Sequence, residues 1–121
     1  MKTVLVVEDA HAEQLLIAGI LAQAGFEVAI ADTAEVAWRW LETHTPPNLI
    51  LLDVVMPGRS GFELCRMIRA NPQLEEVPIV FCTSKNQESD RFWAFRQGGN
   101  AYIAKPFAPK QLLDMVYKYI K

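Results

Sequence analysis

Short apolar runs alternate with longer segments in which apolar positions recur every three to four residues, and the two periods change places repeatedly along the chain. The alternation predicts strands near 3–8, 27–31, 49–53, 78–83 and 101–104, and helices near 11–24, 34–43, 61–70, 87–97 and 109–120. Punctuation agrees with it. Gly25 follows the first helix, Pro46-Pro47-Asn48 precede the third strand, and Gly98-Gly99-Asn100 follow the fourth helix. Val4-Leu5-Val6-Val7, Leu49-Ile50-Leu51-Leu52, Ile79-Val80-Phe81-Cys82 and Ala101-Tyr102-Ile103-Ala104 are apolar throughout rather than alternating, so they read as central strands covered by helices on both faces. The expected fold class is therefore α/β, a single-domain doubly wound five-stranded parallel sheet of (βα)5 order spanning residues 1–121.

In such a sheet ligands bind beyond the carboxyl ends of the strands, where the winding direction reverses. Four of the runs end in reactive groups at that edge: Glu8-Asp9, Asp53, Thr83-Ser84 and Lys105-Pro106. Three carboxylates brought together would repel one another without a cation, and a hard divalent ion such as Mg²⁺ suits oxygen ligands. Glu8, Asp9, Asp53 and the backbone carbonyl of Val55 are the expected ligands. Asp53 is the candidate nucleophile, since a carboxylate can accept a phosphoryl group as an acyl phosphate. Lys105 would bring a positive charge to a phosphoryl oxygen and Thr83 a short hydrogen-bond donor. The chain carries neither GxxxxGK[ST] nor GxGxxG, so the phosphodonor has to come from another molecule. Taken alone, Glu8-Asp9 would be read as the acidic cap of the first helix. Asp53, Thr83 and Lys105 at the same edge turn the reading toward a metal site.

Bulk properties narrow the field. With a net charge of −2, the chain has no electrostatic case for binding nucleic acid. A strand begins directly after Met1-Lys2, which leaves no room for a signal peptide, and no apolar run reaches membrane-spanning length; a cytoplasmic protein is expected, with no membrane insertion. Cys65 and Cys82 have no CxxC spacing and no histidines grouped around them, so both are expected to be reduced, packed thiols. His11 reads as an exposed first-turn residue and His44 as loop. The Met1 start and helical end suggest a complete chain without an output domain.

The ordered set Glu8-Asp9, Asp53 with Met56-Pro57 and Gly61 after it, Thr83, Tyr102 and Lys105-Pro106 resembles the receiver domain of bacterial response regulators, the CheY-like family. The resemblance implies a flavodoxin-like sheet with strand order 2-1-3-4-5. It also implies Mg²⁺-dependent phosphotransfer from a histidine kinase to Asp53, weak intrinsic autophosphorylation, and autodephosphorylation. In this family the hydroxyl residue and the aromatic, here Thr83 and Tyr102, act as the switch that alters the surface of helix 4, strand 5 and helix 5, and the Lys-Pro bond, here Lys105-Pro106, is usually cis. Glu8 departs from the more usual Asp; its longer arm implies contact with the metal through a water. The run Thr83-Ser84-Lys85-Asn86-Gln87-Glu88-Ser89-Asp90-Arg91-Phe92-Trp93-Ala94-Phe95-Arg96-Gln97-Gly98 is further similar to stand-alone receivers of pilus-linked chemosensory systems that control twitching motility and phototaxis.

Trp93 and Phe95 project about 160° apart on a helix, so both cannot lie on one buried stripe and one is expected to be exposed. With Arg91 and Tyr102 they are the candidate contacts for a downstream partner. On the second helix, Val36, Ala37, Trp40 and Leu41 define the expected packed arc, with Trp38 outside it. A monomer or weak dimer is expected. The competing readings are a phosphate sink, a scaffold that is never phosphorylated, and a Mg²⁺-dependent aspartyl-phosphate phosphatase. The last would want a second acid where this chain has Val55, and a flavodoxin-like electron carrier would want a phosphate loop where it has Glu8-Asp9.

Overall fold

Strand β1 (Thr3–Val7) pairs in parallel with β2 (Glu27–Ala31) on one side and with β3 (Leu49–Leu52) on the other. Beyond β3 lie β4 (Ile79–Thr83) and β5 (Ala101–Ala104), giving the order β2-β1-β3-β4-β5. The helices between them are α1 (His11–Gln23), α2 (Ala34–Thr43), α3 (Gly61–Ala70), α4 (Glu88–Arg96) and α5 (Pro109–Tyr119). This computed structural model describes residues 1–85 and 87–121; Asn86, within the run that resembles the pilus-linked receivers, lies outside the described residues. The expected fold class and strand order are those observed, and each element falls within one residue of its expected bounds.

Successive strand side chains point to opposite faces, and the core divides accordingly. Leu5, Val7, Ile50, Leu52, Ile79, Phe81 and Tyr102 face α2, α3 and α4, where they meet Ala37, Leu41, Leu64, Ile68 and Ala94. Val4, Val6, Leu49, Leu51, Val80, Cys82 and Ile103 face α1 and α5, against Ile17, Leu21, Leu112 and Val116. All four β3 side chains are buried, each contributing roughly 1.5–3 kcal/mol of burial free energy. That double-sided burial makes β3 a fixed base for the residue that follows it, Asp53.

Two expectations change. The apolar pattern alone reads β5 as central, whereas the order 2-1-3-4-5 puts it at the edge; Ala101, Tyr102 and Ile103 are buried there because residues of α4 and α5 close over its two faces. On α2 the buried stripe is Ala34, Ala37 and Leu41; Val36 is exposed, while Trp38 and Trp40 both pack partly against the core. The stripe is centred further round the helix than expected, so its flanks fall on 38 and 40 rather than on 36.

Candidate functional site

The sheet ladder continues one residue past the strands and so places the reactive groups. Glu8 N–H donates to Ala31 O (3.0 Å), Asp53 N–H to Val7 O (3.1 Å), and Lys105 N–H to Thr83 O (2.9 Å). Glu8, Asp53, Thr83 and Lys105 are thereby held at one sheet edge by backbone bonds. The loop after Asp53 folds back on it: Gly61 N–H donates to Val54 O at 3.0 Å, and a Cβ at Gly61 would lie 2.0 Å from the Asp53 carbonyl oxygen. Only glycine permits that approach. Ser60 then caps α3, its Oγ accepting from Glu63 N–H at 3.2 Å.

Lys105 Nζ lies between the carboxylates. It donates to Glu8 Oε1 and to Asp53 Oδ2, the latter at 3.1 Å, and Glu13 Oε2 stands 3.6 Å away. Glu8 Oε2 also accepts from Ala10 N–H (3.1 Å), and Asp53 Oδ1 from Val55 N–H (3.2 Å). Glu8 and Asp53 are almost wholly buried, at 2% and 8% relative exposure, whereas Asp9 is exposed. Burial pushes the Glu8 carboxyl above the ordinary carboxylate range, against the opposing pull of Lys105. For Lys105 burial lowers the pKa, but the bonds to Glu8 and the charge of Asp53 outweigh it and hold the ammonium above its usual value. One carboxylate oxygen from each of Glu8, Asp9 and Asp53 falls within a 4.8 Å cluster, an all-oxygen set with one exposed member through which a hard cation could enter. These residues border a cleft of about 490 Å³ together with Glu13, Leu16, Val55, Ser84 and Phe107.

Thr83 is fully buried at the end of β4, where its Oγ1 accepts from Lys85 N–H at 3.3 Å and keeps its own O–H to donate. Ser84, not Thr83, borders the open cleft. The Lys105-Pro106 bond is cis. His11 is exposed and Cys65 and Cys82 are free, buried thiols. Sequence reasoning passed over two residues of the site. Glu13, in the first turn of α1, is one, and its approach to Lys105 is set by where that turn points. Buried Gln14 donates from Nε2 to Glu8 O (2.5 Å) and to Asp32 Oδ1 (2.7 Å), joining the loop after β1 to the end of β2.

The profile of the response regulator receiver domain matches residues 4–117. The chain belongs to this family. Among its relatives the receiver is 36% identical over 116 residues to the phosphate regulon transcriptional regulatory protein PhoB of Rhizobium meliloti, covering 93% of this chain and 49% of PhoB. It thus spans about half the length of that relative. With Protein PilH of Pseudomonas aeruginosa it shares 30% identity over 116 residues, 96% of this chain and 95% of PilH. The receiver domain of the sensor histidine kinase PA1611 of Pseudomonas aeruginosa, solved with a magnesium ion coordinated in its active site cleft, superposes with a TM-score of 0.90 at 30% identity, over 98% of this chain and 96% of that one.

A second region of the receiver joins α4 to β5 and α5. Tyr102 is buried, and among the described residues its hydroxyl has no hydrogen-bond partner. Burial pushes the phenol up to about 12, with Asp90 adding to the rise. The Arg91 guanidinium lies 5.0 Å above the ring. Trp93 and Phe95 are both exposed, at 51% and 52%, and so is Phe92 at 56%. Exposure is expected of one of the two aromatics, and both have it. Around Ala94, the one buried residue of α4, the neighbours at helical spacing are Asp90, Arg91, Gln97 and Gly98, so there is no apolar stripe for a second aromatic to join. Phe95 instead borders a groove of about 650 Å³ with Tyr102, Met115 and Tyr119. No helix among the described residues is long and apolar enough to cross a membrane.

Proposed function

We propose that this receiver takes a phosphoryl group from a histidine kinase onto Asp53 and signals through α4, β5 and α5. The observation that carries the reading is the placement of Asp53, with Oδ2 at 3.1 Å from Lys105 Nζ and a carboxylate oxygen clustered with those of Glu8 and Asp9. Asp53 is fixed by β3 and Gly61 and presents one carboxylate oxygen to the donor. Lys105, already held on that carboxylate, turns to an oxygen of the arriving phosphoryl group and compensates its charge. Glu8, Asp9, Asp53 and the Val55 carbonyl would hold Mg²⁺, which when bound neutralises charge on phosphoryl oxygens. Thr83 donates its hydroxyl to the phosphoryl group, and the Tyr102 hydroxyl and its Arg91 contact respond as Thr83 turns toward that group. The likeness to PilH, with the Lys85–Gly98 run, supports a kinase of the chemosensory type; Arg91, Trp93, Phe95 and Tyr102 are the proposed contacts for the downstream partner.

Intact-mass measurement after incubation with acetyl phosphate tests this. Wild type is expected to gain one phosphoryl adduct only when Mg²⁺ is present, and Asp53→Asn none. A folded wild type that gains no adduct would remove the phosphoacceptor reading and leave a scaffold.

A further inference from the structure

We propose that Glu13 determines which phosphodonors the cleft accepts, its carboxylate at the mouth selecting against small, multiply charged donors; the inference rests on Asp53 being the phosphoacceptor. Glu13 lies in the first turn of α1 and its side chain is 38% exposed, while those of Lys105 and Asp53 beneath it are each 10% exposed. Its Oε2 points across the cleft to Lys105 Nζ at 3.6 Å. Among the described residues bordering the cleft, four carboxylates, those of Glu8, Asp9, Glu13 and Asp53, face the single ammonium of Lys105. Glu8 and Asp53 already hold that ammonium from below.

Glu13 then acts in two ways on an incoming phosphoryl group. It adds a negative charge at the entrance, where solvent screening is partial, and it offers Lys105 a third carboxylate that a phosphoryl oxygen has to displace. Both effects grow with the charge of the donor. A protein donor meets a different balance, because the entrance also carries apolar surface at Leu16, which is 52% exposed, with Leu15 beside it at 60%. A helical partner covering those leucines gains burial that a small anion cannot.

Two small donors separate the effects of charge from those of reactivity. With acetyl phosphate, a dianion at neutral pH, an Asp53 carboxylate oxygen forms the bond to phosphorus as the bond to the acetate oxygen breaks, and acetate leaves with the electron pair. With phosphoramidate, a zwitterionic monoanion, the same oxygen attacks and the P–N bond breaks, releasing ammonia from the already protonated nitrogen. The rate of adduct formation per unit donor concentration should be measured at neutral pH and saturating Mg²⁺ for wild type, Glu13→Gln and Glu13→Asp, at low and high ionic strength. Glu13→Gln is expected to react about threefold faster with acetyl phosphate at low salt, with a smaller gain for phosphoramidate and little gain at high salt. Glu13→Asp, which keeps the charge, should stay near wild type. Equal or slower acetyl phosphate reaction in Glu13→Gln overturns the inference, as does a gain that is the same for both donors and indifferent to salt. A folded wild type that reacts with neither donor overturns the Asp53 reading itself and the inference with it, a failure visible without any Glu13 variant.

Discussion

Asp53 and Trp93 stand at the ends of two parts of the fold held in different ways. Asp53 follows a strand buried on both faces, is bonded through its backbone to β1, and has the Gly61 backbone pressed against its carbonyl. Trp93 lies on a helix with one buried residue, Ala94. That helix is tied to α3 through its C-terminal end: Cys65 Sγ donates to Gln97 O (3.3 Å), Arg66 Nη1 to Gln97 Oε1 (2.7 Å) and Arg69 Nε to Gly98 O (2.9 Å). At the other end, Gln87 N–H and the Asp90 carboxylate bond one another within the same turn. On the proposed reading the group that reacts is the fixed one, and the helix that reports is tied to α3 at its C-terminal end. This is the division of labour a switch needs, since reaction requires preorganised geometry and readout draws on the less stable elements.

The strongest way to break this contrast is to disturb the fixed part. Gly61→Ala forces a Cβ into the Asp53 carbonyl and is expected to cost about 3 kcal/mol in denaturant unfolding. A loss below about 0.5 kcal/mol would mean that the loop after β3 yields as readily as α4.

A smaller effect comes from pH. Burial raises the Cys65 thiol, on the buried face of α3, to about 11, and the Cys82 thiol and Tyr102 phenol, on the sheet beneath its covering helices, to about 12. Each is neutral when protonated, so the folded chain keeps protons that the unfolded chain releases from about pH 9 upward. The stability they confer is fully present below that pH and is lost as pH climbs through the raised values. Denaturant midpoints compared between about pH 8 and about pH 10.5 should fall, and a Cys65→Ala/Cys82→Ala pair should flatten the decline. An equal slope in the pair would show that the thiols are not sealed.

The smallest effect belongs to α4. Trp93→Ser and Phe95→Ser are each expected to change stability by less than about 0.5 kcal/mol, because half of each ring is already in water. Both should weaken capture of the downstream partner. Losses of roughly 2 kcal/mol or more would place these rings in the core and erase the contrast.

How much of this was legible in the sequence follows the same division. The strands that carry the cleft were readable because the runs at Val4, Leu49 and Ile79 are apolar without interruption, and the residue after each run could be assigned to the sheet edge. Asp53, Glu8 and Lys105 meet there as the order of elements requires. The bounds of α4 were readable but its packed face was not, because Asp90, Arg91, Gln97 and Gly98 occupy the positions around Ala94 where an amphipathic helix would carry apolar residues. Glu13 and Gln14 were missed for another reason: their roles depend on where the first turn of α1 points relative to Lys105 and Asp32, which periodicity does not specify. β5 misled because helices on both faces bury an edge strand as fully as a central one.

The most direct test of the account is hydrogen exchange with and without Mg²⁺ and beryllofluoride, a phosphoryl mimic, on wild type and Asp53→Asn. Exchange in residues 88–96 and 101–104 is expected to change severalfold on addition in wild type, with 61–70 steady and Asp53→Asn unresponsive. A bound mimic that alters protection around Asp53 while leaving α4 and β5 unchanged would contradict the claim that the cleft drives this surface.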